Sequence, residues 1–481
     1  MSSVTTPQDA ALGGIPDSPG VSVPRGRRRT ELAMLAFAIA LVAFAYANVG
    51  FGLKGTLPSG MAEYMIAFTV LLLAAHLAVR KLAPRADPLL LPLAATLNGL
   101  GIVMLYRLQE AGRNGNPGQQ ITTLTASATN IQVLYTAVGI GCFVGVLAVI
   151  REPRVLQRYT YTFGAIGLFL VALPAFLPAS ISGVAGTGAK IQVRLGSFTV
   201  QPEEFAKLAL AVAFAGYLVA KRDVLSLAGR RFLGIDLPRG RDLGPILIAW
   251  GASLLLLVFE SDIGTSAVFL GLFVCTLYIA TQRTSWLLIG FGLFVVGAYT
   301  ASKLFAHVGQ RFQIWLHPFS DPHGNAFQLL QGLYGMASGG VLGKGLGAGQ
   351  PYITPLVQSD LVITAFGEEI GMTGLMAIVL VYGLIVQRGL ATSIAVKDPF
   401  SKILAGGLAF MLALQVFVIV GGVTRLIPLT GITTPFLSQG GSSLVASWMM
   451  IAMLMRLSDT ARRPPPQPIQ EEGMTQVVRI S

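Results

Sequence analysis

Residues 403–424 read ILAGGLAFMLALQVFVIVGGVT, a stretch of 22 positions without a charged side chain. A helix needs about 20 apolar residues to cross the hydrocarbon core of a bilayer, so this stretch predicts a transmembrane helix. The rest of the chain has the same character. Of its 481 residues 53% are hydrophobic and 12% are charged, whereas about a quarter of the residues in soluble proteins are charged. With a mean hydropathy of +0.68, the composition excludes a water-soluble protein.

Eleven further apolar stretches are long enough to span a membrane, with or without tilt. Cys142 and Cys275 both lie within such stretches, which argues against a disulfide framework or a CxxC metal site. The sequence therefore predicts an all-α polytopic membrane protein with twelve spans. The predicted spans are residues 31–51, 62–79, 88–106, 131–150, 160–178, 203–220, 243–259, 263–280, 285–304, 361–387, 403–424 and 439–455.

The basic residues indicate which connections face the cytoplasm. Four arginines between residues 25 and 29 precede the first span, and further basic clusters lie at 80–85, 151–158 and 221–241. Lys and Arg are enriched in cytoplasmic loops, so both termini are predicted to be cytoplasmic. The net charge of +12 is then explained by topology, and no nucleic-acid partner is expected.

The chain divides into four predicted parts. Residues 1–30 form a basic, disordered cytoplasmic tail, and residues 458–481 form a Pro-rich cytoplasmic tail. Residues 31–82 contain two transmembrane helices, and residues 83–457 contain the other ten. Within the larger part, residues 305–360 form a long extracytoplasmic connection, and connections of that length are usually functional or disordered.

The long connection contains candidate binding residues. It holds Arg311 and a glycine-rich stretch with the sequence GGVLGKGLG, which includes Lys344. This stretch has the wrong glycine spacing for a nucleotide-binding P-loop, and no Ser or Thr follows the lysine, so no nucleotide cofactor is expected. Two interpretations stay open: a structural glycine hinge, or a backbone nest for a pyrophosphate or sugar oxygen.

Three carboxylates lie at or inside the predicted span 361–387. Asp360 stands at its mouth, where it is either a helix N-cap or a functional group. Glu368 and Glu369 lie deeper, where unpaired carboxylates are costly and should face a protein interior or a wet cavity.

Several other polar residues are predicted to lie on the same outer side. Glu204 and Lys207 are three positions apart and can pair on one helix face, either as a structural ion pair or as substrate contacts. Asp262 is a substrate contact or a hairpin cap. The candidate substrate-binding residues are Lys190, Arg194, Gln201, Glu204, Lys207, Asp262, Arg311, Lys344, Glu368, Arg425 and Ser438.

Five spaced motifs resemble one family. They are QPEEFAKLA, SDIGTS, GGVLGKGLG within the long connection, SDLVITAFGEEIGMTG and PLTGITTPFLSQGGSS, in this order between about residues 88 and 457. Together they resemble the SEDS proteins (shape, elongation, division and sporulation), which comprise the RodA and FtsW types. The segment TTPFLS resembles the RodA type more closely than the FtsW type.

The resemblance implies a ten-helix core to which the two helices of residues 31–82 are additions. It implies a peptidoglycan glycosyltransferase that polymerises lipid II on the outer face of the bacterial cytoplasmic membrane and works with a class B penicillin-binding protein. Asp360 matches the essential aspartate of the family's large loop, which favours the functional interpretation over the N-cap. As general base it would take the proton of the attacking hydroxyl.

Charge on the departing diphosphate would need cationic stabilisation. The candidates are the basic residues Lys190, Arg194, Arg311, Lys344 and Arg425, or a divalent cation, Mg²⁺ or Mn²⁺, held by carboxylates and substrate phosphates. Two alternative functions stay open from the sequence: a flippase or transporter of lipid-linked precursors, which intramembrane charges would equally suit, and a non-catalytic scaffold of the cell-wall synthesis complex.

Overall fold

The computed structural model describes residues 26–114, 128–183, 192–195, 198–226, 228–232, 235–238, 251 and 263–463. This part of the chain is mostly helical. Its helices are α1 (Gly26–Lys54), α2 (Met61–Leu82), α3 (Leu90–Asn114), α4 (Ala128–Val149), α5 (Val155–Arg158), α6 (Thr160–Phe176), α7 (Ala179–Ser182), α8 (Pro202–Ser226), α9 (Ile263–Thr281), α10 (Thr284–Leu304), α11 (Ala306–Leu316), α12 (Phe327–Gly339), α13 (Val362–Glu369), α14 (Gly371–Ala395), α15 (Pro399–Val423) and α16 (Gly441–Ala461).

Within the described residues, nine helices are long and apolar enough to cross a membrane: α1 to α4, α9, α10 and α14 to α16. Two further helices coincide with predicted spans, namely α6, an apolar helix of 17 residues, and α8, which has 25 residues. Of the predicted span at 243–259, only residue 251 is among the described residues. The chain is therefore a multi-pass membrane protein, as the sequence predicts.

Burial separates the central helices from the peripheral ones. In α3 and α16, 89% of the most apolar window is buried inside the protein, compared with 17% in α10. Helix α10 accordingly exposes large apolar side chains such as Phe291 and Tyr299. This pattern suits a membrane, because lipid is an adequate solvent for apolar side chains on the outside of a helical bundle.

The two ends of the bundle are named here by their contents. The loop end is the end at which residues 305–360 lie, and the tail end is the opposite one, where α16 finishes at Ala461. At the tail end, Asp459 accepts hydrogen bonds from the backbone N–H of Arg85 (2.9 Å) and from the guanidinium of Arg463 (3.0 Å). Asp87 pairs with Arg462. These pairs join the α2–α3 connection to the end of α16.

Short strands occur in two connections, in addition to the predicted all-helical architecture. β1 (Val193–Leu195) pairs antiparallel with β2 (Phe198–Val200), and β3 (Ala228–Phe232) pairs antiparallel with β4 (Ile235–Pro238). Each pair forms a separate two-stranded sheet.

The bounds predicted for the span 361–387 were wrong. The spanning helix is α14 and begins at Gly371, while residues 362–369 form the separate short helix α13. Gly371 has φ +68°, and a Cβ on it would stand 2.3 Å from the backbone nitrogen of Gly343. The helix is interrupted here because the glycine-rich part of the long connection packs directly against its backbone.

Candidate active site at the loop end

Asp360 lies at the end of a tight turn that precedes α13. Leu356 has a positive φ of 54°, and its carbonyl oxygen accepts hydrogen bonds from the N–H groups of Ser359 (3.1 Å) and Asp360 (3.2 Å). The N-cap of α13 is Leu361, which makes no side-chain cap. Asp360 is therefore not the N-cap of this helix, and its side chain is half-buried.

Arg311 of α11 faces the same point as Asp360. Its guanidinium donates to the backbone carbonyls of Thr430 (2.6 Å) and Leu429 (3.2 Å). A Cβ placed on the neighbouring Gly431, where φ is +80°, would stand 3.5 Å from a guanidinium nitrogen of Arg311 and 3.6 Å from Oδ2 of Asp360. The glycine thus leaves open a small space that is bordered by a cation and a carboxylate.

Ser438 fixes the backbone on either side of this space. Its hydroxyl donates to the carbonyl oxygen of Ser359 and accepts a hydrogen bond from the N–H of Thr434 (2.9 Å). The N–H of Gln439 also donates to the carbonyl oxygen of Gln358 (2.7 Å). Because Ser438 is buried and holds the residue before Asp360, the structure favours a positioning role for it.

Lys344 and Glu368 pair with each other (3.1 Å), and Glu368 also accepts a hydrogen bond from the N–H of Gln350 (2.9 Å). The neighbouring Glu369 pairs with Arg107 of α3 (2.7 Å), and both side chains are almost completely buried. Arg107 was missed as a functional candidate. A lone arginine beside an apolar span was the signal, because charges at membrane depth need partners.

Glu204 and Lys207 form the predicted pair. Their charged groups are 2.8 Å apart near the start of α8, and both side chains are buried. Just before the helix, the N–H of Gln201 donates to the hydroxyl of Ser442 (2.8 Å), which joins this region to the start of α16. The structure thus favours a structural ion pair, and substrate contact by these residues stays a prediction.

Two further basic residues from the predicted site lie in the described part of the chain. Arg425 has a positive φ of 62° and donates to the carbonyls of Trp315 (2.8 Å) and Leu316 (3.2 Å), so it joins the end of α15 to α11. Arg194 is exposed and donates to the carbonyl of Gly183 (2.9 Å). Lys190 and Asp262 lie outside the described residues.

An apolar groove of about 1010 Å³ runs between α9, α10, α11 and α15. Its walls are mostly aliphatic and aromatic, and its loop-end rim includes Trp315 and Thr430. The carbonyl of Thr430 is also the acceptor for Arg311. The groove therefore ends beside the space between Arg311 and Asp360, so an apolar chain and a polar head could be held together.

Among the described residues, no group of three or more His, Cys, Asp or Glu side chains could hold a metal ion by itself. Mg²⁺, however, commonly binds through one or two carboxylates together with substrate phosphates. The carboxylate of Asp360 beside the groove fits that kind of site, and the predicted Mg²⁺ or Mn²⁺ stays a prediction.

Comparison with known proteins places the chain in a family. Residues 88–463 match the model of the FtsW/RodA/SpoVE cell cycle proteins, and the chain belongs to this family. It is 46% identical over 442 residues to the peptidoglycan glycosyltransferase RodA of Mycobacterium tuberculosis. The matched residues make up 91% of this chain and 92% of that protein.

Two solved structures share the fold. One is the crystal structure of the rod shape determining protein RodA of Thermus thermophilus, with a TM-score of 0.53 and 22% identity, covering 79% of this chain and 98% of that one. The other is a chain from a structure entitled "Structural coordination of polymerization and crosslinking by a peptidoglycan synthase complex", with a TM-score of 0.51 and 22% identity, covering 84% of this chain and 98% of that chain.

Proposed function

We propose that this protein is a peptidoglycan glycosyltransferase of the RodA type, which joins lipid II disaccharides into glycan chains on the outer face of the cytoplasmic membrane. The names of its relatives support this activity. The observation that carries the proposal is the position of Asp360, whose half-buried carboxylate faces Arg311 beside an apolar groove. Such a place suits a reaction between sugars that are attached to membrane lipids.

In the proposed reaction Asp360 is the general base. The 4-hydroxyl of the acceptor's N-acetylglucosamine attacks the anomeric carbon of the donor's N-acetylmuramic acid, and its proton passes to the Asp360 carboxylate. As the new C–O bond forms, the bond from the anomeric carbon to the diphosphate oxygen breaks. The electron pair leaves with undecaprenyl diphosphate, and a single displacement of this kind inverts the anomeric carbon.

Arg311 is the candidate for stabilising the departing diphosphate. One guanidinium nitrogen is held by the carbonyls of Leu429 and Thr430, while another borders the space shared with Asp360. A guanidinium that is fixed in advance can stabilise charge in the transition state without reorganising. A divalent cation held by Asp360 and the diphosphate oxygens would add to this stabilisation if it binds.

The apolar groove is the proposed site for the polyprenyl chain of one substrate. Its lining includes Leu270 and Phe294, Phe312 of α11, and Phe417 of α15, which suit a branched hydrocarbon chain. Burial of apolar surface gives affinity without directional bonds. The chain would therefore hold the diphosphate near Arg311 while the sugars stay mobile enough to extend the polymer.

The partner is proposed to be a class B penicillin-binding protein, which would cross-link the new glycan. The solved relative that concerns both polymerisation and cross-linking by a synthase complex supports this. Both termini are proposed to lie in the cytoplasm, because the basic clusters of the sequence then fall inside. In this orientation the loop end faces outwards, where the substrates are assembled into the wall.

The test is polymerisation of lipid II by the purified protein in nanodiscs, with and without a class B penicillin-binding protein. We expect glycan chains from the wild type and a rate about 10²- to 10⁴-fold lower from Asp360→Asn. Glu63→Gln is a matched control, because Glu63 is an exposed carboxylate at the loop end. Polymer from Asp360→Asn at the wild-type rate, or lipid II transport without polymer by the wild type, would overturn the proposal.

A further inference from the structure

The helices α1 and α2 lie before the family match, which begins at residue 88. They nevertheless pack closely on the core: α1 runs along α3, and Tyr46 of α1 makes an edge contact with Tyr106 of α3 at 4.6 Å between ring centroids. At the loop end, Lys54 of α1 pairs with Glu110 of α3 (2.6 Å). The match to the mycobacterial relative covers 442 residues, more than the residues from 88 onwards can hold, so it includes part of these helices.

The end of α1 also touches the glycine loop, defined here as residues 343–349 with the sequence GKGLGAG. A Cβ on Gly52 would stand 2.3 Å from the carbonyl oxygen of Leu346 and 3.1 Å from the Cα of Gly347. Conversely, a Cβ on Gly347, where φ is +90°, would stand 2.9 Å from the carbonyl oxygen of Val49. Two glycines thus allow direct contact between the backbones of a helix and a loop.

The glycine loop is in turn bound to α13. The N–H of Gly347 donates to the carboxylate of Glu369 (3.1 Å), and the N–H of Gly345 donates to the carbonyl of the same residue (2.8 Å). Arg107 joins the same loop to α3, since it pairs with Glu369 and donates to the carbonyl of Gly349 (2.7 Å). Glu369 is therefore fixed from several directions by groups that α1 and α3 support.

Helix α13 connects this arrangement to the proposed catalytic residue. It is buried along its whole length, it ends at Glu369, and it begins two residues after Asp360. A short, fully packed helix moves as a unit, because packed interiors deform little. A shift of the glycine loop against Glu369 would therefore be transmitted to the turn that holds Asp360.

We propose that α1, through the contact of Gly52 with Gly347, is a positioning element of the active site, which holds the glycine loop, Glu369 and α13 in the register that directs Asp360 towards its substrate. The inference rests on the proposed function. It gives the additional N-terminal helices a role in turnover and not only in membrane anchoring.

The experiment compares Gly52→Val and Gly347→Ala, which disturb the contact from its two sides, with Gly145→Val as the control. Gly145 lies within α4, and a Cβ there would meet nothing within 4 Å, so it reports the cost of a bulkier residue in a spanning helix alone. All variants are purified in nanodiscs, and their thermal unfolding is recorded first. We then measure kcat and KM for lipid II.

We expect kcat to fall about 10- to 100-fold in both contact variants, because small displacements of a catalytic group cost about that much, while KM changes less than about threefold. The control should keep its kcat within about twofold. Wild-type kcat in both contact variants would overturn the inference, and so would an equal loss in the control.

Hydrogen–deuterium exchange gives a second measure that does not depend on activity. The amides of Gly345 and Gly347 donate to Glu369, so residues 343–350 should exchange about tenfold faster in Gly52→Val than in the wild type, while α4 is unchanged. Equal acceleration throughout the protein, or none in the loop, would overturn the inference. A wild type that makes no glycan would refute the proposed function, whereas the exchange result would still decide whether the contact holds the loop.

Discussion

Two arginines at the tail end and two at the loop end bind different kinds of partner. At the tail end, arginines bind carboxylates: Arg462 pairs with Asp87, and Arg463 pairs with Asp459. At the loop end, Arg311 and Arg425 bind backbone carbonyls instead. Their positive charge is thus fixed in place without being neutralised by those contacts, which suits binding of an anionic diphosphate. The Arg462–Asp87 pair joins the end of α16 to the α2–α3 connection, whereas Arg311 borders the candidate site.

The backbone shows the same contrast. Four non-glycine residues with positive φ occur in the described chain, and three of them, Leu356, Arg425 and Phe436, lie around the candidate site. Each such residue costs on the order of 1 kcal/mol or more and persists only where the surrounding structure enforces it. The loop end therefore contains local strain that the packed helices must offset, and strain of this kind clusters at functional sites.

The largest effect is expected when the loop-end carboxylate of Asp360 is replaced. In Asp360→Asn, polymerisation of lipid II should fall about 10²- to 10⁴-fold, because the amide cannot accept the proton of the attacking hydroxyl. The midpoint of thermal unfolding should stay within about 2 °C, since a half-buried side chain is replaced by one of the same shape. A large loss of stability would instead assign Asp360 a structural role like that of the tail-end acids.

A smaller effect on rate is expected from Glu369→Gln. The two carboxylate oxygens accept from Arg107 and from the N–H of Gly347, and an amide would turn an N–H towards one of these donors. We expect kcat to fall about 10- to 100-fold through misplacement of α13. A double-mutant cycle with Arg107→Met checks the pairing, for which a coupling energy below about 0.5 kcal/mol would contradict direct contact.

The matching change at the tail end should act on stability alone. Asp459 is buried and contacts both Arg456 (3.7 Å) and Arg463 (3.0 Å). Removing one partner of a buried ion pair costs about 3 to 5 kcal/mol, so Asp459→Asn should lower the free energy of unfolding by about that amount. The folded fraction should keep its kcat within about twofold. A selective loss of kcat would show that the two ends are coupled.

The smallest effect is expected at an ion pair in which the basic side chain is open to solvent. Lys54 pairs with Glu110, whose side chain is 6% exposed, but the lysine side chain is 47% exposed, so water reaches the pair and screens it. Lys54→Met should therefore change kcat less than about twofold and leave thermal unfolding nearly unchanged. A tenfold loss of kcat would mean that this ion pair, and not the glycine contact, holds α1 against the core.

The spans could be predicted from the sequence, because each helix that crosses a bilayer must be a long apolar segment. The Glu204–Lys207 pair was equally readable, because helix geometry brings residues three apart to one face. Local rules failed at residues 361–387. No propensity indicated that Gly371 would interrupt the helix, because the cause is its contact with Gly343 of a different segment.

The sequence by itself determined the class of fold and most of the apolar helices, since apolar length is a property of short segments. Only the tertiary structure decided which partners the buried charges have. Arg107 meets Glu369 across 262 positions, and Gly52 meets Gly347 where a helix and a loop touch. Such contacts depend on how the helices pack, and packing is a property of the whole chain that no single segment encodes.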